Sequence, residues 1–316
     1  MSELELLNNY EVLKDYFVDK PKPIFDSKTI QIILLREVLD FTIFRTEESK
    51  ELNTVITPTA IDNDDPVERV AFLGSKQKAV ESRQLASLLR TATNDVEYDE
   101  VEECYLKDYL CLKCPRCGLF GGTSASSSNK SDSNIKHRIA YSTAYSLDSF
   151  EELQELITFN GINDKKVNTG QALGVRKSVK PASIFPSIIT LRSVTWKEFI
   201  WVVKSLLSAH KYGAESRIGG NVRNNIVGIA AGWEEVITPL ELTLELSKEE
   251  NKVDIDNISN ILEEYKGIAA HTNKIKILNS EKLGNILEET QEFELDKDFI
   301  EESYKDIEAY RKEQGE

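Results

Sequence analysis

The stretch HKYGAESRIGGNVRNNIVGIAAGWEEVITPLELTLEL, from His210 to Leu246, decides how the rest of the chain is read. Its first third sets Lys211, Arg217 and Arg223 on a backbone that includes Gly213, Gly219 and Gly220, residues that take positive φ freely and let the main chain approach another molecule closely. Asn225 to Gly232 is rich in Ile, Val and Ala and reads as a buried strand. Leu240, Leu242, Leu244 and Leu246 alternate with Glu241, Thr243 and Glu245, the pattern of a half-buried strand. Two strands are thus predicted to hold one basic loop.

Upstream, Thr195 and Glu198 form a capping box, and Trp196, Phe199, Ile200, Val203, Leu206 and Leu207 recur at intervals of three and four. This predicts a helix from Thr195 to about His210 that delivers the chain to Lys211. Gly161 to Pro186 is Gly- and Lys-rich and too long for an idle turn; it has neither a Walker lysine nor a dinucleotide glycine fingerprint, so it reads as a flexible basic flap. KTIQIILLR, Lys28 to Arg36, has the β-branched density of the first core strand. Residues 1–27 read as a short polar helix stopped by Pro21 and Pro23, and residues 46–66, with Pro58, Pro66, Asp62, Asp64 and Asp65, as loop. A helix from about Ser75 to Thr91 carries Lys76, Lys78, Arg83 and Arg90 pointing several ways. His137 to Leu147 reads as one strand, with Tyr141, Thr143, Tyr145 and Leu147 on one face.

With 316 residues, 40% of them hydrophobic, the chain has enough apolar material for a proper core. The apolar runs fall short of the ~20 residues that span a bilayer, and Glu3, Glu5 and Glu11 stand where a signal peptide would be basic, so a cytoplasmic protein without membrane contact is expected. A formal charge of −15 argues against a polyanionic partner, but the distribution reverses that argument. Residues 165–223 carry eleven basic and two acidic side chains; residues 247–316 carry ten basic and nineteen acidic ones and read as acidic helices. Screening acts over ~8 Å in the cell, so the local field governs a bound phosphate chain.

All four cysteines, Cys104, Cys111, Cys114 and Cys117, fall within a short segment, and Cys114-Pro-Arg-Cys117 is a metal-binding knuckle. Zinc is the expected ion, with Cys111, Cys114 and Cys117 as ligands and either Cys104 or His137 completing the set. An iron–sulfur cluster is disfavoured because its usual downstream Cys-Pro is missing. A closed thiolate site is structural, since a catalytic zinc keeps a position open for water. GGTSASSSNKSDSNIK, from Gly121 to Lys136, reads as a polar surface loop of the same insertion. With three scattered histidines and no nucleophile elbow, binding rather than catalysis is the default reading. A zinc-dependent nuclease or RNA-modifying enzyme, and an adaptor for an acidic protein, are the rivals.

His210 to Leu246, together with CLKCPRCGLFGG (Cys111 to Gly122), HRIAYSTAYSL (His137 to Leu147) and TGQALGVRKSVKPASIFPSIITLRSVTWKEF (Thr169 to Phe199), resembles the CRISPR-associated Cas-seven family in its type I-D form. The resemblance covers about Ile30 to Leu246. It implies an α+β fold, a modified RNA-recognition-motif (ferredoxin-like) palm with large insertions, one of them zinc-binding. The core would comprise residues 28–95 and 138–246 with the flap at about 161–186, the zinc insertion residues 96–137, and the acidic helical region residues 247–316. It further implies a non-enzymatic Cascade backbone subunit that assembles with copies of itself and other Cascade subunits, clamps the crRNA spacer, and meets target DNA through the guide. The crRNA contacts it carries over are Arg176, Lys177 and Lys180 of the flap and Lys211, Tyr212, Arg217 and Arg223 of the glycine loop, and after them Lys78 and Arg83.

Overall fold

The computed structural model describes residues 8–46, 51–99, 103–105, 109–123, 134–163, 168–215, 219–248 and 253–315. A 3₁₀ helix, Asn8–Tyr16, precedes strand β1 (Thr29–Val38), the hairpin β2 (Thr54–Ala60) and β3 (Asn63–Phe72), and helix α1 (Gly74–Asp95). The cysteine segment holds α2 (Pro115–Phe120), β4 (Gly122–Thr123) and β5 (Asn134–Ile135). Then come β6 (Ile139–Tyr141), β7 (Ala144–Tyr145), α3 (Phe150–Leu153), β8 (Gln154–Asn163), β9 (Asn168–Val179), β10 (Ile184–Arg192), α4 (Trp196–Ser208) and β11 (Val222–Gly232). The chain ends with α5 (Pro239–Leu246), α6 (Ile255–Ile268), β12 (Lys276–Ile277), α7 (Ser280–Glu292) and α8 (Lys297–Gln314). The fold is α+β, with antiparallel sheets.

The central sheet has five strands in the order β12-β11-β1-β10-β6, every neighbour antiparallel. Thr29–Val38 is its middle strand because nearly every side chain is buried and six of the ten are apolar, spread over both faces. Ile30, Ile32 and Leu34 pack with Leu85 and Leu89 of α1 and Phe199, Ile200 and Val203 of α4. Ile33 and Leu35 face the other way, towards Leu242 and Leu246 of α5 and Ile258, Ile261 and Leu262 of α6. Each such side chain contributes ~1.5–3 kcal/mol, and helices cover both faces of the sheet. The three-stranded sheet β2-β3-β7 and the separate β8–β9 hairpin flank this core.

Four sequence expectations are corrected. Leu240 to Leu246 is helix α5, not a strand: Thr238 accepts the Glu241 N–H, Glu241 reciprocates, and Pro239 occupies the first turn. The cap starts the helix, and burial against β10, β2 and β7 absorbs leucines on more than one side. Residues 54–66 belong to a hairpin in which Pro58 faces Pro66, so two residues that cannot donate to the ladder sit opposite each other near the turn; residues 47–50 of that segment lie outside the described residues. His137 to Leu147 divides between two sheets, β6 beside β10 and β7 beside β3. The flap is ordered as the antiparallel hairpin β8–β9, although Lys165 and Lys166 at its tip lie outside the described residues.

The predicted helices around Ser75 to Thr91 and Thr195 to His210 are α1 and α4, and the second carries the expected capping box. The acidic tail folds back on the core: Leu283, Ile286, Phe299 and Ile300 join the cluster formed by α1 and α4. Among the described residues no helix is long and apolar enough to cross a membrane.

Candidate nucleic-acid interface and cysteine cluster

The basic loop after α4 is shaped by its glycines pressing on one another. A Cβ on Gly220, at φ 84°, would meet Gly213 Cα at 2.9 Å, and one on Gly219 would meet Phe41 O at 2.7 Å. Tyr212 and Gly213 both donate to Gly220 O, while Gly220 donates to Phe41 O at 3.0 Å. The glycines thus close the two arms of the loop onto the end of β1; approach to a ligand is not what requires them. Lys211 stands exposed at the rim, and Arg217 lies outside the described residues.

A buried polar network sets where that rim sits. Arg36, near the C-terminal end of β1, pairs with Glu81 of α1 at 2.8 Å and donates to Asn224 Oδ1 at 2.6 Å and Ser187 Oγ at 3.1 Å. The Tyr212 hydroxyl donates to Glu81 Oε1 at 2.8 Å and accepts from Asn224 Nδ2 at 2.7 Å. Burial and the Glu81 charge push the Tyr212 phenol far above its usual range. With 5% of its surface exposed, Tyr212 is a core residue that positions Lys211, and its ring offers no face to a base. The loop was legible from sequence; this network was missed, since a single Arg in an apolar strand and a single Glu in a helix carry no signal until they meet.

Helix α1 supplies the other wall. Lys76, Arg83 and Arg90 recur at seven-residue intervals, so they share one face and span about 21 Å along the axis. Of the four cations on the helix these three share a side: Arg83 lines a groove with Lys211 and Arg223, and the depressions beside it reach Lys76 on one side and Arg90 on the other. Arg223 lies 3.6 Å from Glu37 with more than half of its side chain exposed. Lys78 is turned away towards the cysteine segment, where burial and the charge of Arg116 lower its pKa.

Strand alternation divides the flap cations. Arg176 reaches Glu215 of the glycine loop at 3.3 Å, and Arg45, unflagged by the sequence, pairs with the same carboxylate. Lys177 points to the opposite side, to Glu51 at 2.8 Å and over the Phe150 ring. Lys180 follows the strand, its N–H bonded to Leu153 O. Of the three, Arg176 adjoins the loop.

The four cysteine sulfurs converge. The Sγ atoms of Cys104, Cys111, Cys114 and Cys117 lie within 4.8 Å of one another; Cys104 is 3.5 Å from Cys117 and 3.7 Å from Cys114. A tetrahedral thiolate site with metal–sulfur bonds of ~2.3 Å has sulfur–sulfur edges of about 3.8 Å, so the donor set fits. Leu112 at φ 58° makes the reversal between Cys111 and Cys114, and Cys114 caps α2 by accepting the Cys117 N–H at 3.4 Å. Hydrogen bonds from the Cys111, Cys114 and Cys117 thiols hold Cys104 far below the usual thiol range, and the bond to Cys104 foremost raises Cys114. The group consists of the four cysteines, and His137 is not among them. Cys111, Cys114 and Cys117 share a small core with Ile307 and Tyr310 of α8, while Arg138 ties Gly118 O in α2 to Glu198 of α4.

The chain belongs to a class of CRISPR-associated proteins. Residues 13–308 match the family described as Csc2 Crispr, and the chain is a member of that family, of the Cas-seven type. The crystal structure of Thermofilum pendens Csc2 aligns with a TM-score of 0.64 at 20% sequence identity, with 96% of each chain covered, a likeness of fold. A chain of a CRISPR RNA-guided surveillance complex aligns over 75% of this chain and 84% of its own, with a TM-score of 0.46 and 9% identity. Comparison with curated proteins returned no match.

Proposed function

We propose that this chain is the crRNA-binding backbone subunit of a type I-D Cascade surveillance complex, acting in the cytoplasm and without catalysis of its own. The observation that carries the reading is the groove in which Arg83 of α1, Lys211 of the glycine loop and Arg223 of β11 converge from three separate elements. Cations placed this way grip phosphates and leave the guide's bases free to pair with target DNA. The order β11-β1-β10-β6, with α1 leading to β6 and α4 joining β10 to β11, is that of a βαββαβ unit, which supports the modified RNA-recognition palm of residues 28–95 and 138–246. Its second face is covered by α5 and α6, so RNA belongs at the groove rather than on the sheet. The insertion, residues 96–137, would be folded by a structural zinc ion on the four cysteines. Copies of the chain and other Cascade subunits are the proposed protein partners, the basic middle of one copy meeting the acidic region 247–316 of the next.

Salt-dependent binding of single-stranded RNA tests this. Each lost phosphate contact lowers the slope of log affinity against log salt by ~0.7, so Arg83→Ala, Lys211→Ala and Arg223→Ala together should flatten it by about 2 for every sequence alike. Intact protein that retains no guide-length RNA when produced beside its CRISPR locus would overturn the reading.

A further inference from the structure

The cationic row on α1 does not end at the groove. Past Arg83 it continues through Ser87 to Arg90, and there opens a cleft of about 670 Å³ between α1, the cysteine segment and α8. Three tyrosines line it from three directions: Tyr98 after α1, Tyr105 beside the first cysteine, and Tyr304 of α8. The Tyr98 and Tyr304 rings are 5.5 Å apart, and Tyr105 keeps 45% of its surface exposed. Two fixed cations accompany the rings in a lining that also includes Asp99 and Glu103. Arg90 donates to Cys104 O at 2.8 Å, and Arg116, 5% exposed, is held by Ser82 Oγ at 2.9 Å with its guanidinium against Cys117 Sγ. Arginine beside an open aromatic face, at the end of a row of cations, is what an unpaired base and its phosphate require. The volume falls within the range of small-ligand sites.

We infer that this cleft stacks an unpaired base of a single-stranded RNA whose backbone follows Lys76, Arg83 and Arg90, with Tyr105 as the stacking face and Arg90 on the adjoining phosphate. The inference rests on the RNA-binding reading and extends the bound strand to the cysteine insertion. It gives the insertion a role in binding: the four sulfurs fix Cys104, and with it the neighbouring Tyr105 and the carbonyl that anchors Arg90.

The test uses the full-length, metal-loaded protein and oligouridylates lengthened one nucleotide at a time from either end. At one length the wild-type protein should gain about ten-fold in affinity as a base enters the cleft; Tyr105→Ala should lose that step while binding shorter oligomers as before, and Tyr105→Phe should keep it. Oligomers carrying 5-iodouridine at either end supply a second readout on the unaltered protein. Photocrosslinks to Tyr105 or Tyr98 from one end only are expected. Crosslinks confined to residues 39–45 and 208–223, or the same length step in Tyr105→Ala, would overturn the cleft and leave the groove standing. Failure of the wild-type protein to bind any oligomer would overturn both.

Discussion

Replacing Tyr212 by Phe separates a core residue from an RNA contact. The hydroxyl serves two partners, the Glu81 carboxylate at 2.8 Å and the Asn224 amide at 2.7 Å. Asn224 Nδ2 keeps Leu206 O at 2.8 Å, so its loss is small, whereas Glu81 loses a donor inside the core. A hydrogen bond to a buried charged group contributes ~1.5–3 kcal/mol, so Tyr212→Phe should cost about 2 kcal/mol. At ~2–4 °C per kcal/mol for domains somewhat smaller than this one, the melting temperature should fall by roughly 4–8 °C. The aromatic surface is unchanged, and the ring faces Phe72 in the core, so affinity for single-stranded RNA should stay within two-fold of the wild type, about 0.4 kcal/mol. Calorimetry and fluorescence anisotropy on one preparation measure the two quantities. Unchanged stability with RNA affinity reduced ten-fold would place the hydroxyl at the RNA and refute the argument.

Other outcomes follow from the same geometry. Gly118→Ala puts a Cβ 2.3 Å from Ile307 Cδ1, and overpacking of this kind costs ~1–3 kcal/mol; limited proteolysis should show α8 cut before the sheet. The buried phenols of Tyr10, Tyr141 and Tyr212 all titrate above their ordinary value, chiefly through burial. Unfolding releases those protons once the pH passes ~10, so stability should be complete below that pH and fall as it rises, less steeply in Tyr212→Phe; urea midpoints measured from pH 9 to pH 11 check the sign. A strong chelator, or Cys117→Ser, should release one bound metal ion per chain and loosen α2 and α8 while β1, β10 and β11 keep their amide protection, as hydrogen exchange would record.

Much of the core was legible because local chemistry and tertiary burial agree there. Thr29–Val38 is apolar on both faces and becomes the middle strand; Thr195 and Glu198 mark the start of α4; four cysteines in one short segment converge. The misreadings came where a repeat of period two or a pair of prolines was weighed without its partners. The leucines of Pro239–Leu246 alternate, yet Thr238 and Glu241 cap a helix and the sheet takes its buried side.

The chain by itself determined which residues seek the interior, where α4 begins, and that a basic middle adjoins an acidic end, because these depend on side-chain type and near-neighbour spacing. Tertiary structure alone decided which cations from different elements share a surface. Arg83, Lys211 and Arg223 meet because α1, the glycine loop and β11 pack around the Arg36–Glu81–Tyr212 network, while Lys78 and Lys177, as basic as they are, are turned elsewhere. A charge has no direction in a sequence; it acquires one when the backbone that carries it is fixed by packing.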